Sequence, residues 1–242
     1  MNALELRAIN KHYGQKHALK DFSFTFTEGV YALLGPNGAG KSTLMHLITD
    51  NLSPDKGGEI LWNGAEIGKL GSQYRSSLGF MPQQQAMYDS MTAWTFLAYV
   101  SALKGISKKM AHAEITQALE LVELSEQAGQ KIGGFSGGMK QRVLIAATIL
   151  GNPDLIIMDE PTAGLDPKQR VIVRNLIYKL AKQKIILIST HIVSDVESIA
   201  KEVLLLREGE LLAHGTIDSL ISQAGEGVDT LETLYMRYYG GL

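Results

Sequence analysis

Gly35-Pro36-Asn37-Gly38-Ala39-Gly40-Lys41-Ser42-Thr43 follows the apolar run Val30-Tyr31-Ala32-Leu33-Leu34 and satisfies the spacing Gly-x-x-x-x-Gly-Lys-Ser/Thr in full. A strand that gives way to small residues and then to a helix is the arrangement of a phosphate-binding loop. Small residues let the backbone curl so that successive N–H groups converge on phosphate oxygens. Thr43 to Ile48 begins a helix whose positive N-terminal end adds attraction. Lys41 supplies a point charge to the β- and γ-phosphates, and Ser42 places a hydroxyl where a phosphate-bound Mg²⁺ takes an oxygen ligand. A plain glycine-rich turn is set aside, because four fixed positions rarely coincide and here they carry strand and helix flanks as well.

Working outward, the 242 residues are 45% hydrophobic and 20% charged, which excludes a disordered chain and a polytopic membrane protein. That length suits one large domain or one domain with an inserted lobe. No apolar run reaches bilayer length, and Met1-Asn2-Ala3-Leu4-Glu5 has no basic region leading into an apolar one, so a cytosolic location is expected. The absence of cysteine excludes disulfides, thiolate metal sites and a cysteine nucleophile. With 23 basic and 25 acidic residues there is no electrostatic case for a nucleic-acid partner.

Upstream of the loop, Leu4 to Ile9 and the period-two run Phe22-Ser23-Phe24-Thr25-Phe26 read as strands. Tyr13, in the predicted loop between them, is placed either to stack on a nucleotide base or simply to pack. A guanine-specifying Asn-Lys-x-Asp is not supported, since Asn10-Lys11-His12-Tyr13 lacks the aspartate. Downstream, Glu59 to Asn63 and Leu78 to Met81 read as further strands, the second delivering Gln83 just beyond its end, where it is either a solvated loop residue or one of the ligand contacts that open α/β sheets gather at that edge. From Met91 to about Gln127 the periodicity is helical. Met91, Trp94, Leu97, Ala98 and Ser101 form one stripe, and Met110, Ala113, Ile115, Ala118, Leu119 and Val122 another. The methionines and tryptophan here are either lobe core or a groove for a partner's helix.

Gly133 to Arg142 opens a further helix with Ser136 as its N-cap, and the paired Gly137 and Gly138 beside an exposed helix N-terminus form a second potential anion site. One nucleotide does not obviously need two such sites in one chain. Leu155-Ile156-Ile157-Met158 is a buried parallel strand by composition, ending in Asp159-Glu160. Adjacent carboxylates at such a strand end are costly unless cations or donors offset them. Since neighbours on a strand point opposite ways, Asp159 is expected beside Ser42 in a Mg²⁺ shell and Glu160 facing an attacking water as general base. Asp166 then caps a helix that has Pro167 at its first position, and Ile185 to Thr190 forms a last buried strand ending at His191, which is either structural or placed to donate to a γ-phosphate.

These residues, in this order, resemble the nucleotide-binding subunit of an ATP-binding cassette (ABC) transporter over nearly the whole chain. Gly35 to Thr43 is similar to the Walker A loop, Gln83 to the Q-loop and Phe135 to Met139 to the family signature. Leu155 to Glu160 is similar to the Walker B strand with its glutamate, Ala163 to Asp166 to the D-loop and His191 to the switch histidine. The resemblance implies an α/β fold: a P-loop NTPase (RecA-like) core with an antiparallel β subdomain, spread over residues 1–83 and 152–242, and an inserted α-helical lobe over 84–151 that carries the signature. It implies ATP and Mg²⁺ as cofactors. Tyr13 would stack on adenine; Asn37, Gly38, Ala39, Gly40, Lys41, Ser42 and Thr43 would hold the phosphates; Ser42, Gln83 and Asp159 would surround the metal. Glu160, His191, Gln83 and Lys41 would serve hydrolysis.

The second anion site is resolved by the same likeness, because two such subunits, identical or related, pack head to tail. Ser136, Gly137 and Gly138 of one then close over the nucleotide of the other. An integral membrane permease, separately encoded, would be the third party, holding the subunit at the inner face of the cell membrane. One departure concerns the signature, which reads Phe135-Ser136-Gly137-Gly138-Met139 where Leu-Ser-Gly-Gly-Gln is common; the phosphate-binding residues are kept and the glutamine amide is lost. Phe-Ser-Gly-Gly-Met-Lys-Gln-Arg with a later Gly-Leu-Asp-Pro is similar to cassettes serving exporters of drugs, peptides or lipids. A soluble cassette ATPase acting on nucleic acid or ribosomes is the alternative, disfavoured by near-neutral charge and a single cassette. A P-loop kinase or GTPase would leave Phe135 to Met139 unexplained.

Overall fold

The alternation along the strand that feeds the phosphate loop organises the interior. In the computed structural model, which describes residues 2–83 and 87–240, β3 (Gly29–Leu34) lies inside a six-stranded sheet and is covered on both faces. Val30, Ala32 and Leu34 point into one apolar core, and Tyr31 and Leu33 into the other. Burial on both sides is why the segment reads as an unbroken apolar run.

The strands in chain order are β1 (Leu4–Tyr13), β2 (Lys16–Phe26), β3, β4 (Glu59–Trp62), β5 (Ala65–Glu66), β6 (Leu78–Met81), β7 (Leu155–Asp159), β8 (Ile185–Thr190), β9 (Glu202–Arg207) and β10 (Glu210–Gly215). The helices are α1 (Lys41–Ile48), α2 (Ile67–Leu70), α3 (Ser72–Ser76), α4 (Ala93–Leu103), α5 (Lys108–Leu121), α6 (Gly137–Ile149), α7 (Pro167–Leu180), α8 (Ile217–Ala224) and α9 (Leu231–Tyr239). The large sheet has the order β10-β9-β3-β8-β7-β6, parallel from β9 to β6, with β10 returning antiparallel through a tight turn at Glu208 and Gly209. Both turn residues have positive φ, the requirement of a two-residue hairpin loop. The smaller sheet, β2-β1-β4-β5, is antiparallel and shares a core with α1 through Leu6, Phe22 and Phe26.

On the opposite face, α4, α5 and α6 pack together over Phe96, Leu97, Ile115, Leu119 and Ile145. Two details differ from the sequence expectation. Tyr13 is the last residue of β1 rather than a loop residue, because β1 continues to pair with β2 up to the Tyr13–Lys16 register. On α5, Met110 and Ala113 are exposed, and the buried stripe is Ile115, Ala118, Leu119 and Val122, since only that i, i+3, i+4, i+7 set faces α4 and α6. Residues 84–86, the start of the predicted lobe, lie outside the described residues. Among the described residues no helix is long and apolar enough to cross a membrane.

Tyr74 shows how the connection after β5 steadies the loop helix. Its ring is fully buried against Trp62, and its hydroxyl donates to the Ile48 carbonyl at 2.6 Å, satisfying a terminal acceptor of α1. Burial pushes the phenol's pKa upward, so the hydroxyl remains a donor. Tyr74→Phe is expected to cost about 1–3 kcal/mol, read as a lower denaturant midpoint at unchanged slope.

Candidate functional site

Parallel pairing brings the chemistry to one edge. Leu34 is level with Thr190, and Asp159 with Ser189, so β3, β7 and β8 release their loops at the same height. β6 runs beside β7 in the same direction and hands over to Gln83. All these loops therefore emerge at the carboxyl ends of the strands, the usual ligand edge of an open parallel sheet.

A cleft at this edge is lined by Asn37 to Thr43 together with Gln83, Asp159 and Glu160, and also by Tyr13, Lys16 and Ala18. Gly40 has φ +108°, and a Cβ there would stand 2.7 Å from the Ala18 carbonyl, so the turn into α1 admits only glycine. Lys41 is buried, and its ammonium donates to the carbonyls of Gly35 at 2.5 Å and Pro36 at 3.1 Å. Desolvation lowers its pKa below the ordinary lysine value, against the opposing pull of Glu160 and Asp159. Ser42 Oγ lies 3.5 Å from Asp159 Oδ2, so the loop hydroxyl and the strand-end carboxylate face one another.

Among the described residues no group of three or more His, Asp or Glu side chains forms a metal cage. One hydroxyl and one carboxylate fit Mg²⁺ nonetheless, because that ion keeps waters and substrate phosphates in its shell and takes few protein ligands.

Glu160 lies beyond β7 rather than on it. Its φ is +51°, so a left-handed turn, and not strand alternation, carries its side chain away from that of Asp159. Ser189 holds both: its hydroxyl donates to Asp159 Oδ1 and accepts the Glu160 backbone N–H at 3.0 Å. The Glu160 side chain is buried, with Oε1 2.9 Å from His191 Nδ1 and Oε2 without a hydrogen-bond partner among the described residues. Where the carboxylate is ionised it can only accept, and Nδ1 is then the donor; the imidazole is 57% exposed.

Further ties brace this edge. Gln141 on α6 donates to the Pro161 carbonyl at 2.6 Å, and buried Thr162 donates to Asp195 at 2.5 Å. Tyr239 donates to the Leu206 carbonyl at 2.9 Å and lies 3.4 Å from that of Leu34, the residue before the loop. Tyr235 packs on Tyr239 with ring centres 4.5 Å apart; burial, and then the charge of Glu160, raises its pKa.

The sequence reading singled out Tyr13, the loop, Gln83, Asp159 and Glu160, and the structure gathers these at one cleft, with His191 on Glu160. Ser136, Gly137 and Gly138 sit apart, at the N-terminus of α6; Ser136 Oγ accepts the Met139 N–H at 3.3 Å, and none of the three lines the cleft. Sequence reasoning missed Ser189, Lys16, Ala18 and the tyrosines of α9. Only Ser189 left a signal, as a hydroxyl near the end of an otherwise apolar strand.

A phosphate loop at the edge of a parallel sheet, facing a strand-end Asp-Glu pair, defines a P-loop ATPase cassette. The sequence pattern of the ABC transporter family matches residues 19–163, and the chain belongs to that family. The linearmycin resistance ATP-binding protein LnrL of Bacillus subtilis is 37% identical, over 92% of this chain and 72% of its own. The Nod factor export ATP-binding protein I of a Rhizobium species is 34% identical, over 91% of this chain and 73% of its own. A solved ATP-binding subunit of an ABC transporter superposes with a TM-score of 0.84 at 29% identity, covering 97% of this chain and 98% of the other. The dimeric structure of MJ0796, a bacterial ABC transporter cassette, gives 0.78 at 26% identity, covering 88% and 98%. The protein is thus an ATP-binding and ATP-hydrolysing subunit of the kind that powers a membrane permease.

Ser189→Ala removes the hydroxyl shared by Asp159 and the Glu160 backbone. Turnover in a phosphate-release assay is expected to fall about 10–100-fold, with ATP binding largely kept.

Proposed function

We propose that this chain drives an exporter as a head-to-tail pair with a second cassette, each ATP lying between the cleft of one copy and the signature of the other. The observation that carries the reading is the division of labour within one chain: the phosphate loop, Asp159 and Glu160 share a cleft, while Ser136, Gly137 and Gly138 stand outside it. The names of the relatives, one in resistance and one in export, support the outward direction.

In this reading Tyr13 stacks on adenine, the loop N–H groups and Lys41 hold the β- and γ-phosphates, and Thr43 meets the α-phosphate. Ser42, Asp159 and Gln83 hold Mg²⁺, which when bound neutralises phosphate charge. Glu160 takes the proton of the attacking water, with its carboxylate steadied by His191, and His191 Nε2 faces the γ-phosphate. ATP then stabilises the closed pair by mass action, and loss of the γ-phosphate contacts releases it. A permease that follows these movements alternates its access, and its hold on the cassette accounts for a peripheral place on the inner face of the membrane.

Glu160→Gln is expected to keep ATP binding, lower turnover by about 10²–10⁴-fold and accumulate an ATP-bound dimer in size-exclusion chromatography. Normal steady-state hydrolysis in that variant would remove Glu160 as the base. Mixing Glu160→Gln chains with chains that also carry Ser136→Arg is expected to give dimers with one competent site, and equal occupancy of both sites would argue against the head-to-tail arrangement.

A further inference from the structure

Among the described residues two carboxylates are almost wholly buried, Glu160 at 8% exposure and Asp195 at 5%. Glu160 faces the cleft, whereas Asp195 is outside its lining, in the single turn Val193–Asp195 that follows His191. A carboxylate shut away from water is costly to keep without a donor. The Thr162 hydroxyl supplies one, donating to Asp195 Oδ2 at 2.5 Å, and Thr162 is itself only 2% exposed.

This bond closes a ring. Thr162 stands two residues beyond Glu160, after β7, and Asp195 four residues beyond His191, after β8. One hydrogen bond joins the two segments at the cleft, between His191 Nδ1 and Glu160 Oε1 at 2.9 Å. The bond between Thr162 and Asp195 joins them again where water is excluded. The His191 ring is more than half exposed, and Glu160 is its one hydrogen-bond partner among the described residues, so its own contacts hold it weakly. Its place is set by the backbone around it. The Ile192 N–H donates to Thr190 Oγ1 at 3.0 Å, the Asp195 N–H to the Ile192 carbonyl at 3.2 Å, and Arg174 of α7 to the Ser194 carbonyl at 2.9 Å. The Arg174 tie is at the surface, whereas the bond from Thr162 to Asp195 is buried at both ends. Both side chains are short and threonine is stiff at χ1, so this bond cannot be exchanged for water without moving one turn or the other.

We propose that Thr162 and Asp195 are positioning residues for hydrolysis: their buried bond fixes the turn after His191 against the turn after Glu160, and so holds the imidazole on the carboxylate oxygen. That role rests on the reading of Glu160 as the base with His191 as its support, whereas the bond itself belongs to a single chain. Neither residue lines the cleft, so nucleotide binding does not depend on them directly. Without the Thr162 hydroxyl the Asp195 carboxylate is left buried and unpaired, and the turn that carries it shifts together with His191.

The first test separates chemistry from binding in steady-state ATP hydrolysis. Thr162→Val, close in shape, is expected to lower kcat about tenfold and to leave KM for ATP within about twofold, whereas Thr162→Ser, which keeps the hydroxyl, stays within about twofold of wild type in both. An unchanged kcat in Thr162→Val, or an equal loss in Thr162→Ser, would overturn the proposal. The second test uses histidine-ring NMR signals of the nucleotide-free chain, with those of His191 identified by their loss in His191→Ala. Thr162→Val is expected to move the His191 signals and to leave those of His112, on α5, in place; His191 signals that do not move would overturn the proposal. Should Thr162→Val fail to fold, Thr162→Val combined with Asp195→Val removes both partners and leaves neither one unpaired in the interior. That chain is expected to fold and to show the same loss of kcat, and a wild-type kcat in it would overturn the proposal. If instead Glu160→Gln or His191→Ala chains hydrolyse ATP at the normal rate, the assignment of the base falls, while the NMR comparison still decides whether the bond from Thr162 to Asp195 holds His191.

Discussion

Two carboxylates at the end of a strand buried on both faces survive only where donors and cations converge on them, and the catalytic edge is arranged around that constraint. Asp159 receives the Ser189 hydroxyl and faces Ser42. Glu160 receives His191 on one oxygen and is held at its backbone by Ser189. Lys41 stands in the field of both carboxylates, which partly offsets the desolvation of its own charge. The groups that make the acidic pair tolerable are the same ones that a phosphate–metal complex would engage, so stability and chemistry draw on one network.

That network needs its members at one height, and the parallel register of β3, β8 and β7 provides it. The two apolar cores pin the register, because a one-residue slip of β3 would send Val30, Ala32 and Leu34 to the opposite face. Bracing comes from outside the sheet as well. Tyr74 ties the end of α1, Gln141 ties α6 to the turn after Glu160, and Tyr239 ties the final helix to the strand ends beside the loop. The C-terminal segment, which carries no recognisable motif, contributes by packing Tyr235 and Tyr239 against this edge.

The helical lobe packs over the core that holds Val30, Ala32 and Leu34. It holds the first turn of α6 away from the cleft of its own chain, and with it the exposed serine and glycine of the signature. In a head-to-tail pair that turn would act across the interface.

The order of motifs, the alternation of strands and helices, and most residues of the cleft, though not Lys16 and Ala18, were legible from the sequence, because each depends on local spacing. Gly-x-x-x-x-Gly-Lys-Ser dictates a loop conformation within nine residues, and an apolar run ending in Asp-Glu announces a buried strand with charge at its tip. Tyr13 and Glu160 were found as residues but misplaced in conformation. Strand pairing with β2 carries β1 through Tyr13, and Glu160 leaves the strand through a left-handed turn that no periodicity reveals. Ser189 and Tyr239 act on partners 30 and 33 positions distant in the chain. Their roles arise only when parallel strands and packed helices bring those partners together, and tertiary structure alone decides contacts of that range.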